Sequence, residues 1–279
     1  MQKRVKRILV QVAIVLLLMV IGATVAYAVT MPRRAPELTF TADTDKTVEP
    51  MSHMHYSQEY LTRLRTQFSL DEVVAGTNND LERVRAIASW VNGLWKHDGT
   101  NQPEYSDPIY ILEQVAQGER FRCTEYGLVI AGCLQALGIP ARPLGLMTSD
   151  VETRSSGAGH VVTEAYLSDL DKWVFIDGQW NVIPLLKGVP LNAIELQEAL
   201  AQGKGGLELT GIDSLRGYFY RWWVAPYLYY FNVPYHSQRL FLGPEDASAP
   251  QVFQGRFPIG DILYIHSPRH FYLPPACGE

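Results

Sequence analysis

Cysteine is scarce in this chain, three residues in 279. Cys123, Cys133 and Cys277 make no Cys-x-x-Cys pair and show no metal-ligand spacing, which excludes zinc-ribbon and thioredoxin-like chemistry. A phosphate-cradling glycine loop, a dinucleotide fingerprint and an acidic calcium loop are also missing, so no cofactor and no metal are expected. Basic clusters are confined to the N-terminal segment, where Lys3, Arg4, Lys6 and Arg7 lie without an acid. The net charge is −5, and removing residues 1–28 leaves 20 bases against 29 acids, or −9. No nucleic-acid partner is expected of such a chain.

The composition, 47% hydrophobic and 19% charged, is that of a protein able to bury a real core, and it excludes a disordered or fibrous class. One long apolar run stands apart. Ile8 to Val29 is interrupted only by Gln11 and Thr24 and approaches the roughly 20 residues that span a bilayer. Its length favours an uncleaved anchor, while Ala26-Tyr27-Ala28 fits a signal-peptidase site. The bases ahead of the run outnumber Arg33 and Arg34 after it, so both readings put the rest of the chain outside the cytoplasm. The expected location is a single-pass cell-membrane protein with an extracytoplasmic domain, or a secreted or periplasmic one if cleaved after Ala28.

An odd cysteine count leaves at least one free thiol. On one helix, Cys123 and Cys133 would stand about 15 Å apart along the axis, too far for a disulfide. In an oxidising compartment Cys133 and Cys277 are open to pairing, and Cys123 is then the unpaired one. Cys123 sits in Phe121-Arg122-Cys123-Thr124-Glu125-Tyr126-Gly127, directly ahead of an apolar stripe with helical spacing at Leu128, Ala131, Leu134 and Leu137. A helix N-terminus and a nearby imidazole both lower a thiol pKa. His160 and Asp177 follow in strand-like segments, which gives a candidate nucleophile, base and orienting carboxylate.

Before that point, residues 30–55 carry prolines, threonines and mixed charge without apolar periodicity, as a stalk would. His53-Met54-His55 falls within it and reads as solvated rather than metal-bound. Leu81, Val84, Ile87, Val91 and Leu94 then mark a helix capped at Asn79 or Asp80, and Ser106-Asp107-Pro108 starts another that ends before Gly118. The third helix, Cys123 to Leu137, is stopped by Gly138-Ile139-Pro140. Strands are expected at 141–147, 160–167 and 173–177, with a loop at 155–159. His160 and Asp177 share a sheet face only if the loop between their strands has an even residue count or a bulge. A two-residue turn at Ser168-Asp169 makes them opposite partners, and a four-residue loop over Ser168 to Asp171 makes them diagonal neighbours. An unbulged five-residue loop would separate them.

These residues resemble the transglutaminase-like superfamily of papain-like cysteine enzymes, over roughly residues 80–185. The likeness lies in Asp107-Pro108, Arg122-Cys123-Thr124-Glu125-Tyr126, Leu137-Gly138-Ile139-Pro140-Ala141-Arg142, Gly159-His160 with Glu164-Ala165-Tyr166, and Trp173-Val174-Phe175-Ile176-Asp177. One departure is Gly178, where many members have proline. The resemblance implies an α+β fold in which the helix bearing the nucleophile packs on an antiparallel sheet bearing base and acid. It also implies a catalytic set of Cys123, His160 and Asp177 that forms a thioester from an amide, later resolved by water or an amine. The Cys123 amide is one oxyanion donor, and Gln117, Trp90 and Trp95 are candidates for the second.

The expected organisation is a signal-anchor or signal peptide over 1–29, a stalk over 30–55, a transglutaminase-like domain over 56–204 and an aromatic-rich extension over 205–279 packed on the core. Glu125 is expected to complement the helix dipole or to lie on the surface, and Glu164 to meet substrate or pair with Arg142. The aromatic block Tyr218 to Trp223 and Tyr227 to Phe231 reads as core, as a groove beside the site or as a membrane surface. The function expected is thiol acyl transfer on proteins or peptides outside the cytoplasm, with membrane contact through the N-terminal helix. The alternative is a non-catalytic envelope module on the same fold.

Overall fold

The computed structural model describes residues 2–30, 34–41, 48–50 and 56–276, with side chains at 6–7 and 11–23 in the first stretch. The chain divides into two compact units, Met1–Arg33 and Arg34–Glu279. The first is a helix, α1 (Gln2–Thr30), on which six consecutive apolar side chains, Ile14 to Met19, are each 51–61% exposed. Among the described residues no helix is long and apolar enough to cross a membrane. The expected transmembrane helix is therefore not supported.

In the second unit, the described parts of the expected stalk are packed. Ala35 and Val48 are buried in a hydrophobic core, Thr41 N–H donates to the His266 carbonyl at 3.0 Å, and Glu49 N–H donates to Tyr235 Oη at 3.1 Å. Two apolar side chains with somewhere to go outweigh the polar composition around them. His53-Met54-His55 lie outside the described residues.

A helical layer follows, with α2 (Gln58–Gln67), α3 (Leu70–Val73), α4 (Asp80–Leu94), α5 (Pro108–Ala116) and α6 (Cys123–Ala136). Capping sets the starts of α4 and α5. Asn79 Oδ1 accepts from Glu82 N–H at 2.9 Å, and Asp107 Oδ1 accepts from Tyr110 N–H at 2.8 Å with Pro108 in the first turn. Helix α2 buries only Leu61 and Leu64, too few to leave a periodic signal.

Then come β1 (Ala141–Met147), β2 (Gly159–Leu167), β3 (Lys172–Ile176), β4 (Ile183–Leu186), β5 (Val189–Pro190), α7 (Ala193–Ala201), β6 (Leu207–Thr210) and α8 (Ser214–Val224). The chain continues through β7 (Tyr230–Tyr235), β8 (Gln238–Leu242), β9 (Val252–Phe253), β10 (Phe257–Pro258), β11 (Ile262–Ile265) and α9 (Pro268–Phe271). The main sheet has the order β11-β8-β7-β1-β2-β3. It is antiparallel except between β11 and β8, which run parallel. Strands from residues 230–265 thus complete the sheet begun by β1, β2 and β3.

The sheet's two faces feed different cores. Ala141, Ala165, Leu167, Val174 and Ile176 pack with the helical layer. Leu144, Leu146, Val162 and Phe175 pack with α7, α8 and the C-terminal strands. This alternation is the period-two rule made visible.

Candidate active site

Cys123 is the first residue of α6, at the end where unpaired amides leave partial positive charge. The helix starts where it does because Glu125 turns back: its carboxylate accepts from Arg122 N–H at 3.0 Å and from the Arg122 guanidinium at 2.8 Å. Glu125 is fully buried, so it is a structural residue rather than a surface one. A glycine brings this helix onto β2. A Cβ at Gly127 would meet Val161 Cγ1 at 3.0 Å and the Val162 carbonyl at 3.1 Å, and the Gly127 carbonyl accepts from Thr163 Oγ1 at 3.0 Å.

The β2–β3 hairpin closes with four loop residues, Ser168 to Asp171, since Leu167 opposes Lys172 and Thr163 opposes Ile176. His160 and Asp177 are therefore diagonal neighbours on one face, as the even-loop condition requires. His160 Nε2 and Asp177 Oδ2 stand 2.8 Å apart, which leaves Nδ1 for the thiol. Asp177 is fully buried and its oxygens are saturated: Oδ2 also accepts from Tyr220 Oη at 3.0 Å, and Oδ1 accepts from Trp180 N–H at 3.1 Å. The turn behind it is gripped by α4, where Asn92 Nδ2 donates to the carbonyls of Gly178 and Gln179, each at 2.9 Å. Gly178 itself has no room for a side chain, because a Cβ would meet Ile130 Cδ1 at 2.3 Å. The glycine that departs from the family pattern is matched to a bulky α6 neighbour.

Burial raises the Cys123 thiol pKa, but hydrogen bonds with His160 and His97, the His160 charge and the Val161 amide outweigh it and bring it down to about 6. Burial lowers His160, and the Asp177 charge, the Asp177 hydrogen bond and Cys123 outweigh that, raising it to about 10. Between those limits the two groups form a thiolate–imidazolium pair that titrates jointly. Cys133 is the contrast: free, fully buried, and held far above the ordinary thiol range by burial. Both Cys123 and Cys133 are free thiols, and Cys277 lies outside the described residues.

The aromatic block of the C-terminal region serves this site. Trp223 meets His160 edge-on at 4.8 Å between ring centroids, and Tyr227 lies at 6.0 Å. Tyr220 is fully buried against Asp177, while Phe219 and Trp222 are exposed at 47% and 42%. Cys123 and His160 open into a cavity of about 810 Å³ that Trp223, Tyr227, His97 and Gln179 also line.

Three of these residues carry no signal in the sequence. Tyr220 is hidden in an aromatic run, and His97 and Gln179 are lone polar residues after a helix and a strand. The proposed second oxyanion donors are placed elsewhere. Trp95 Nε1 donates to the Phe121 carbonyl at 3.3 Å, Trp90 packs against the helical core, and Gln117 is exposed after α5. None of them lines the cavity, whereas Gln179 does. Glu164 pairs with Arg142 at 2.9 Å and does not face the cavity.

Residues 69–178 match the model of the transglutaminase-like superfamily. This segment is similar to a transglutaminase-like core. The match begins before the α4 cap and ends one residue past Asp177. Among solved structures, the chain is similar to the periplasmic domain of TgpA from Pseudomonas aeruginosa bound to ethylmercury, at 18% identity over 46% of this chain and 48% of that one, with a TM-score of 0.36. It is also similar to calcium-bound LapG of Legionella pneumophila, at 11% identity over 70% and 91%, TM-score 0.34. Red sea bream transglutaminase matches at 15% identity over 66% of this chain and 35% of that one, TM-score 0.34. The chain spans less than half the length of several of the structures it matches. No curated protein matches it significantly.

Proposed function

We propose that the protein is a cysteine-dependent enzyme that opens amide bonds of proteins or peptides through a thioester on Cys123. The observation that carries this reading is a thiol brought down to about 6 beside an imidazole whose far nitrogen is committed to a buried carboxylate. The Cys123 thiolate attacks the carbonyl carbon, and the C–N bond breaks as His160 gives its proton to the leaving amine. Neutral His160 then takes a proton from water, the hydroxide opens the thioester, and the thiolate and imidazolium return with release of a carboxylic acid. An amine in place of water would give transamidation. Hydrolysis is preferred here because water is always present. Asp177 holds the ring orientation and balances the imidazolium. The Cys123 N–H at the α6 start is one oxyanion donor in this reading, and Gln179, which lines the cavity, is the candidate for the other.

We further propose, from the sequence, that the enzyme works outside the cytoplasm with its N-terminal segment at a membrane, although no described helix is long and apolar enough to cross one. It is supported by four bases ahead of the apolar run and by the bare side chains of Ile14 to Met19. Fractionation checks this: recovery in the membrane pellet, released by detergent and not by salt, is the expected result.

Labelling with iodoacetamide across pH tests the chemistry. Cys123 should react with its midpoint near pH 6, and His160→Ala should move the midpoint up to the ordinary thiol range. Ordinary reactivity in both proteins would favour the non-catalytic module instead. Labelling should persist unchanged in chelator.

A further inference from the structure

The cavity wall is short of acid. Its lining carries Arg122 and Arg239 with His97 and His160, and no Asp or Glu, although the chain as a whole is acidic at −5. Arg122 is committed to Glu125 and to Gln102 Oε1, the latter at 2.9 Å. Arg239 is in a different position. Its Nε donates to Asn232 Oδ1 at 2.8 Å, and among the described residues no carboxylate pairs with it. Burial lowers its pKa and no acid offsets that loss of hydration.

Strand register locates this cation relative to the thiol. Val161 of β2 opposes Gly145 of β1, Gly145 opposes Asn232 of β7, and Asn232 opposes Phe241 of β8. Residues in such a row share a face, and Arg239 lies two positions from Phe241, so it projects from that face as well. The Val161 amide at one end of the row bonds to the Cys123 sulfur. Neighbouring strands lie about 4.8 Å apart, so three spacings put β8 about 14 Å from β2, some four extended residues. The hydrogen bond to Asn232 draws the guanidinium back toward the thiol. Asn232 is itself fixed, since its Nδ2 donates to the Gly145 carbonyl at 3.1 Å. A Cβ at Gly145 would meet Asn232 at 2.7 Å, so the glycine makes room for this contact. With Nε engaged, the two Nη groups remain as a fork suited to a carboxylate.

We propose that Arg239, steadied by Asn232, receives a carboxylate of the substrate roughly two to four residues from the amide that Cys123 attacks, so that the cavity selects acidic peptides. This deepens the thiol-enzyme reading and rests on it. A partly desolvated guanidinium without an acid is costly, and a bound carboxylate supplies two charged hydrogen bonds at no further cost in preorganisation.

The test uses short peptides carrying a chloroacetamide at one end and either Glu or Gln at the second, third or fourth residue from it. The readout is the ratio of Cys123 labelling rates for each Glu/Gln pair within one protein, which loss of folded protein lowers equally for both probes. At one position the ratio should reach about tenfold or more in the natural protein, fall to near one in Arg239→Gln and recover in part in Arg239→Lys. A ratio near one at every position, while iodoacetamide still labels Cys123 with a midpoint near pH 6, overturns this proposal alone. A tenfold ratio that survives Arg239→Gln also overturns it. Loss of the low-pH iodoacetamide reaction overturns the thiol-enzyme reading, and this inference falls with it.

Discussion

Two buried acid–base pairs lie four residues apart on the same face of β2, and they behave oppositely. His160–Asp177 and Arg142–Glu164 are separated by 2.8 and 2.9 Å, and both are covered by aromatic residues of the C-terminal region. Arg142 is sealed: its guanidinium lies 4.2 Å over the Trp173 ring and 5.0 Å over Phe271. Glu164 is saturated too, accepting from Tyr272 Oη at 2.8 Å and Ala193 N–H at 3.3 Å. The first pair leaves one imidazole nitrogen facing a thiol and a cavity. What separates the two pairs is a nitrogen of the base left open to a thiol and a cavity, not burial or distance.

Breaking the sealed pair should have the largest effect. Arg142→Ala leaves Glu164 charged and buried, and a loss of about 3–5 kcal/mol of stability is expected, read by urea unfolding. Arg142→Met with Glu164→Leu, which removes both charges, should recover much of it. If the single variant loses under 1 kcal/mol, the pair is not what holds residues 268–273 to the sheet.

Next comes His160→Ala. With the thiol rising from about 6 to about 8.5, iodoacetamide labelling at pH 6.5 should fall about fiftyfold or more, and by little at pH 9. The sign follows from the groups: thiolate is lost as pH falls through about 6, and imidazolium as pH rises through about 10. Turnover should therefore be bell-shaped between those limits.

Gly178→Ala forces Ile130 to move and should cost about 1–3 kcal/mol. Pairing it with Ile130→Val, which removes the clashing Cδ1, should cost less than the sum of the two single changes. The smallest effect belongs to Tyr220→Phe, which takes one donor from Asp177 at about 0.5–1.5 kcal/mol. With that donor gone the carboxylate holds its proton-bearing neighbour harder, so the alkaline limb should move up while the acid limb stays close to 6.

Much of the site was legible because its geometry follows from counting. Hairpin parity tied His160 to Asp177, Asn79 and Asp107 marked helix starts through their capping oxygens, and Gly138, with φ +81, ended α6 near the expected point. The helices packed on β1 and β2 followed from apolar spacing at 81–94 and 128–137. Tertiary contacts without a local pattern were not legible. Tyr220 reaches Asp177 across 43 residues, and nothing in Tyr218 to Trp223 distinguishes that ring from its neighbours. His97 is placed by the folding of its loop, where Asp98 N–H donates to the Phe121 carbonyl at 2.9 Å and Tyr126 Oη donates to the Trp95 carbonyl at 2.8 Å. The stalk reading failed for residues 35 and 48 because composition averages over the two side chains that find a core.

The hydroxyl of Tyr220 on Asp177 also orders events during synthesis. A chain made only as far as residue 210 contains Cys123, His160 and Asp177, yet it lacks α8 and the strand β7 that pairs with β1. Its Asp177 has one donor fewer, its imidazole is without the Trp223 cover, and β1 is an open edge. The surroundings of the thiol are thus completed late, only after the last quarter of the chain has closed over them.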